Sequence, residues 1–174
     1  DDFKKEGVEA VAVVLLHAYK NPVHEKEIVA LIREEWPDVP VSASHLLTKE
    51  WREYERTNTT VFNAYVKPLA NSYLNHLSEE LVNRGLKGKQ YMMQSNGGVT
   101  TLQHAKELPI HLVESGPVAG IYGAAVLGEM IGEENIIAFD IGGTTAKCSL
   151  IKSGEVKVTT DYYIEKNDKN AGYP

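Results

Sequence analysis

Two apolar runs, residues 136–139 (IIAF) and 146–151 (AKCSLI), enclose Asp140-Ile141-Gly142-Gly143-Thr144-Thr145. A Gly/Thr stretch this short cannot carry a crossover, so the two runs must return on each other as an antiparallel hairpin with the hexapeptide at its tip. Glycines let main-chain amides approach an anion closely, successive amides can form a nest, and threonine hydroxyls add donors. The tip suits a phosphate, and it suits equally an ordinary tight turn, where Gly is common. Asp140, ending the first strand, is placed to hold Mg²⁺ through water or to orient an attacking nucleophile. A Walker A loop is excluded, because Ala146 rather than glycine precedes Lys147 and a strand rather than a helix follows; there is no GxGxxG fingerprint.

The segment before the hairpin, residues 117–131, reads as a helix with Ser115 available as its cap. It carries Ala119, Gly120, Gly123, Ala124, Ala125 and Gly128. Each glycine inside a helix costs about 1 kcal/mol relative to alanine, so three of them imply close approach of a helix or of backbone. Earlier in the chain, the Val-rich run 8–16 suggests a strand buried on both faces. A helix over 23–36 follows, with Ile28, Leu31 and Ile32 at helical spacing and Pro37 as its stop, then a strand over 39–43. Strand, helix and strand within about forty residues predict a βαβ unit, hence parallel pairing. A long helix is expected from Lys49, capped by Thr48, to Arg84, ended by Gly85. Val61, Tyr65, Leu69, Tyr73, Leu77 and Leu81 recur every fourth residue and mark its expected buried stripe. Weak helix formers at 56–60 (RTNTT) and Pro68 are its expected interruptions. A strand over 90–94, a tight turn at 95–98 (SNGG), a short helix over 102–107 and a last strand over 155–160 complete the reading.

Composition removes whole classes. Eighteen Lys+Arg against 24 Asp+Glu give a net charge of −6, which argues against a nucleic-acid binder. No apolar run is long enough to span a bilayer, and the first residues lack the parts of a signal peptide. The lone Cys148 cannot form an internal disulfide, in keeping with a cytoplasmic setting, and its mid-strand position suggests core. The six histidines show neither HxH nor HExxH spacing. The opening without Met and the turn-like end at 170–174 read as those of a piece of a longer polypeptide.

Small-residue helix, apolar strand, D-x-G-G-T and second strand together resemble the actin, sugar-kinase and heat-shock-chaperone ATPase superfamily, an α/β, ribonuclease H-like fold present here in part. Segments 7–25, 52–68 (REYERTNTTVFNAYVKP), 93–99 (MQSNGGV), 114–125 (ESGPVAGIYGAA) and 139–151 (FDIGGTTAKCSLI) are similar to the hydantoinase A / 5-oxoprolinase family. The resemblance implies that residues 1–114 end the first ATPase half, 115–132 form a connecting hinge helix, and 133–174 open the second half with its phosphate loop. It implies an ATP- and Mg²⁺-dependent enzyme that phosphorylates the carbonyl of a small cyclic amide before hydrolysis, and a second hydantoinase subunit or domain as partner. An acetone-carboxylase-like subunit and a non-enzymatic actin-like ATPase module are the alternatives. On this reading Gly142, Gly143, Thr144 and Thr145 cradle phosphate and Asp140 engages Mg²⁺; Lys147, where many relatives carry an acidic residue, offers a cation to phosphate or faces solvent, and the resemblance assigns it no role. Glu55, Arg56, Thr59, Thr60 and Asn63, together with Asn96, Gly97 and Gly98, are candidates for substrate contact; a solvated helix face and a plain turn explain them as well.

Overall fold

The computed structural model describes residues 2–143, 145–158, 165–167 and 170–173, the last two stretches as backbone only. In order the elements are α1 (Asp2–Lys5), β1 (Val11–Val13), α2 (Val23–Glu35), β2 (Val41–Ala43), α3 (Ser44–Leu47), α4 (Glu53–Asn83), β3 (Tyr91–Met93), β4 (Val99–Thr101), α5 (Leu102–Glu107), a 3₁₀ turn (Pro109–Leu112), α6 (Ser115–Ile131), β5 (Ile136–Ile141), β6 (Ala146–Lys152), β7 (Glu155–Val156), β8 (Glu165–Asn167) and β9 (Asn170–Tyr173). They form two compact units. One comprises residues 1–88, 106–110 and 161–174; the other comprises 89–105 and 111–160. The β3–β4 hairpin thus belongs with α6 and the late strands, whereas the sequence groups everything up to residue 114.

In the first unit β1 and β2 pair in parallel, Val11 with Val41 and Val13 with Ala43, as the βαβ reading expects. The strand is shorter than the apolar run 8–16, and only one face is covered: Val13 is buried while Ala12 is exposed. Val13, Val39 and Val41 form the core, against which Ile28, Val29, Ile32 and Trp36 pack. Leu31, by contrast, faces out.

Helix α4 overturns three expectations. Thr48 does not cap it; its hydroxyl accepts from Glu50 N–H in a preceding turn, and the helix begins at Glu53. The RTNTT stretch does not interrupt it, because Thr59 and Thr60 donate their hydroxyls to the carbonyls of Glu55 and Arg56 one turn back. Pro68, the other expected interruption, lies inside the helix, which runs on to Asn83. Most of the expected apolar stripe lies outside: Tyr65 is 80% and Leu69 79% exposed, with Val61 and Tyr73 also exposed, while Leu77 and Leu81 are half-buried. The face turned inward is mostly polar, comprising Arg56, Thr60, Asn63, Ala64, Lys67 and Leu74. Periodicity places a stripe on one side of a helix, but it cannot say which side the rest of the fold covers. Gly85, at φ 95°, follows the helix end as expected.

In the second unit β3 pairs antiparallel with β4 around residues 94–98. Strands β5, β6 and β7 form an antiparallel sheet in that order, and α6 lies against it. The 136–139 run, read as a buried strand, is covered on one face only: Ile136 and Ala138 are half-buried, while Ile137 and Phe139 are exposed. Cys148 is exposed too rather than core. Its register partner is Phe139, so both stand on the bare face of the hairpin. The last strand shrinks to Glu155–Val156; residues 159–160 of that expectation lie outside the described residues.

Candidate functional site

The β5–β6 register runs from Ile136 opposite Ile151 to Asp140 opposite Lys147 and Ile141 opposite Ala146. With a two-residue period, Ile136, Ala138 and Asp140 share a face with Lys147, Ser149 and Ile151. That face is turned to α6. Ile151 is fully buried, and a Cβ on Gly128 of α6 would stand 2.1 Å from Ile136 Cδ1 and 2.6 Å from Glu133 O. Gly128 is therefore the helical glycine whose cost the packing explains. Gly116, Gly120 and Gly123 have open space where a Cβ would stand, so among the described residues the close approach expected of them is not found.

The loop at the tip is tight, with Gly142 N–H donating to Thr145 O at 2.9 Å. Asp140, Ile141, Gly142, Gly143 and Thr145 are exposed; Thr144 lies outside the described residues. Neither Gly142 nor Gly143 adopts the left-handed backbone, unlike Gly97, Gly132 and Gly154. A Cβ on Gly142 would meet Thr145 O at an ordinary 3.6 Å, and one on Gly143 would meet nothing within 4 Å. The fold itself thus requires glycine at neither position. Gly142 directs its amide into its own turn, so the tip offers fewer free amides than a full nest would.

At the tip end of this face, α6 starts differently from the expectation. Glu114, not Ser115, holds the N-cap position, in the left-handed region (φ 64°, ψ 9°) and without a side-chain cap bond. Its carboxylate pairs instead with the Lys147 ammonium. In the sequence Glu114 only opens the segment 114–125, and nothing in its spacing to Lys147 points to the contact.

The remaining candidates are divided between the two units. Asn96 accepts from Gly98 N–H at 2.8 Å within its own turn. Gly97 has φ 84°, and a Cβ there would come 2.3 Å from the Tyr122 ring, so its glycine is set by backbone and packing together. In the first unit Glu55 faces Arg52 at 3.4 Å. Arg56 is fully buried, donating to the carbonyls of Glu50 (2.9 Å) and Leu15 (2.9 Å) and standing 5.6 Å from the Tyr19 ring centroid. Asn63 is also fully buried, donating to Ser42 Oγ and Glu107 O and accepting from Ile110 N–H. Lys67 donates to Val41 O and Glu107 Oε2. Sequence reasoning passed over the nearby buried Glu25 entirely. Its Oε1 accepts from Leu15 N–H and Ser44 Oγ–H, and its Oε2 from His45 N–H and Nδ1–H. Burial alone would push its pKa up; the bonds from Ser44, His45 and Leu15 outweigh it and hold the carboxyl below its ordinary value.

A family model described as hydantoinase/oxoprolinase matches residues 56–174, and its N-terminal-region model matches 1–36. The chain belongs to the hydantoinase/oxoprolinase family. It is 36% identical to the acetone carboxylase beta subunit of Xanthobacter autotrophicus over 92% of its length, and 32% identical to caprolactamase subunit alpha of Pseudomonas jessenii over 92%. It spans 23% of each, about a quarter of these relatives. A nucleotide-free acetone carboxylase structure, from work on ATP-dependent acetone carboxylation, superimposes with TM-score 0.74 at 35% identity over 88% of this chain and 22% of that one. An ATP-dependent caprolactamase structure from P. jessenii gives 0.73 at 32% identity over 85% and 21%. The fold is accordingly α/β of the actin-like ATPase type, as the sequence resemblance implies. No helix among the described residues is long and apolar enough to cross a membrane.

Proposed function

We propose that this chain carries part of the nucleotide site of an ATP-dependent enzyme that opens a small cyclic amide. The observation that carries the reading is the pair Gly142 and Gly143. These glycines are exposed at a hairpin tip and are not left-handed, and among the described residues nothing crowds the space beside them, so the backbone there is open to an incoming group. ATP, when bound, supplies a phosphoryl group for the amide carbonyl oxygen, turning it into a leaving group. The chain's own part is positioning and charge neutralisation. Gly143 and Thr145 are exposed at the tip to take phosphate, with Gly142 closing the turn, and Thr144 is kept as a phosphate contact by its place in the sequence alone.

Asp140 is the one acidic side chain between residues 136 and 152. Among the described residues no three His, Cys, Asp or Glu side chains converge as a metal cage. A lone exposed carboxylate fits Mg²⁺, which takes one or two carboxylates together with substrate phosphates and water. Asp140 would hold the ion, and the ion would offset phosphate charge. Arg56 gives its two terminal nitrogens to the carbonyls of Glu50 and Leu15, and Asn63 bonds Ser42 Oγ, Glu107 O and Ile110 N–H, so both serve the interior. Asn96 and Gly97 remain exposed or half-exposed and are kept as candidate substrate contacts; Glu55 and Thr59, half-buried on the first turns of α4, are kept with less support.

In the full-length protein, phosphate release from ATP is measured with 5-oxoproline, a hydantoin, caprolactam, or acetone plus bicarbonate. Turnover dependent on a cyclic amide is expected. Turnover with acetone and bicarbonate would assign the chain to a carboxylase, and ATP hydrolysis indifferent to all of them to a non-enzymatic module. Asp140→Ala should lower turnover by roughly 10²–10³-fold while leaving the melting temperature nearly unchanged. Unaffected turnover removes Asp140 from the mechanism.

A further inference from the structure

Glu114 stands where local preferences disfavour a glutamate. Its backbone is left-handed, and at the N-cap of α6 it makes no side-chain bond to the first-turn amides. Non-glycine residues seldom adopt that region, and Ser, Thr, Asp and Asn are the side chains that cap well. The carboxylate reaches Lys147 instead, with both side chains about one-third exposed. Lys147 is the register partner of Asp140, and both leave the same face of the hairpin. The three groups therefore sum to one negative charge on the face that adjoins the tip. Without the ammonium, two carboxylates would meet an arriving polyanion.

We propose that Glu114 is a positioning residue of the phosphate site. Its carboxylate holds the flexible Lys147 side chain on the Asp140 face, so that a cation stands beside the tip when the anionic end of a nucleotide arrives. A lysine on a four-carbon stem otherwise samples solvent, and fixing it costs rotamer entropy that the ion pair offsets before binding. The assignment rests on the nucleotide reading above. It adds a residue at the start of α6, outside the hairpin, on which that site depends.

Simple electrostatics and positioning predict opposite signs. Removing a negative charge at Glu114 would by itself tighten binding of ATP, whereas releasing Lys147 weakens it. The test uses the full-length protein, with MgATP as probe. KM and kcat are measured for Glu114→Gln, Lys147→Gln, the double variant and Glu114→Asp, after direct MgATP binding has been measured for the wild type. Lys147→Gln is expected to raise KM about tenfold, as for one charge-assisted contact, and Glu114→Gln about threefold or more, with kcat little changed. The double variant should be no worse than Lys147→Gln alone, because Glu114 acts through Lys147. Glu114→Asp should fall between wild type and Glu114→Gln. An unchanged or lowered KM in Glu114→Gln, or effects that multiply in the double variant, overturns the positioning role. Should Glu114→Gln not fold, an unchanged KM in Lys147→Gln or in Glu114→Asp overturns it equally. A wild-type protein that binds no MgATP overturns the nucleotide reading itself, so the two failures are told apart.

Discussion

Two polar motifs stand out in this chain, and the structure treats them oppositely. Arg56-Thr57-Asn58-Thr59-Thr60, with Asn63 and Lys67 beyond it, turns inward from α4, where Arg56, Thr60, Asn63 and Lys67 are buried and bonded mainly to main-chain carbonyls and amides. Asp140-Ile-Gly-Gly-Thr-Thr145 turns outward; beyond the strand pairing of Asp140 and Ile141, Gly142 N–H donates to Thr145 O across the turn. Polar residues packed into an interior order the backbone around them, since each group left without a partner there costs free energy. Polar residues and glycines at an open tip do nothing for the fold. Of the two motifs, the one that contributes least to stability is the better candidate for binding.

The contrast breaks first at Glu25. Glu25→Ala removes the acceptor for four buried donors, and urea unfolding should show a loss of about 3–5 kcal/mol. The same carboxylate gives a pH test. Because its pKa is lowered on folding, its contribution is fully present above the ordinary glutamate value and is lost as pH falls through the lowered one. Glu25→Gln should flatten that acid limb; an unchanged limb would mean that other carboxylates govern it.

Next in size is Asn63→Ala, which strips partners from Glu107 O and Ile110 N–H and should cost roughly 2–3 kcal/mol by the same measurement. A value near zero would show that the inward polar face is water-filled rather than bonded.

Two glycine substitutions sharpen the comparison within the second unit. Gly128→Ala forces a Cβ onto Glu133 O and Ile136, so it should lose about 1–3 kcal/mol despite alanine's helix propensity. Gly120→Ala, in open space, should gain up to about 1 kcal/mol in this chain.

The smallest stability effect is expected at the tip. Gly143→Ala should shift stability by no more than about 0.5 kcal/mol, yet raise KM for MgATP in the full-length protein. A stability loss without a KM change would make the tip a structural turn.

Much of the fold is legible in the residues. The parallel β1–α2–β2 unit, strand β3 with the tight turn at Asn96-Gly97, the end of α4 before Gly85 and the β5–β6 hairpin all follow from periodicity and turn chemistry, whereas the returning strand β4 is not in that reading. Local preference over a few residues fixes these, and nothing distant has to be known. The family is legible as well, from five ordered segments.

The environment of each face is not. Val61, Tyr65, Leu69 and Tyr73 announce an apolar stripe, and the run 136–139 a buried strand, yet these four and Ile137 and Phe139 stand exposed. Which side of an element is covered depends on what packs there, and that is settled by contacts far apart in sequence. The same holds for Glu25 beside Ser44 and His45, and for Glu114 beside Lys147, pairs separated by 19 or more positions. Sequence by itself determined the elements, the family and the glycine tip. Only the tertiary structure decided which polar groups are held inside and which remain available, because partners of a buried charge are chosen by folding and leave no periodic trace in the chain.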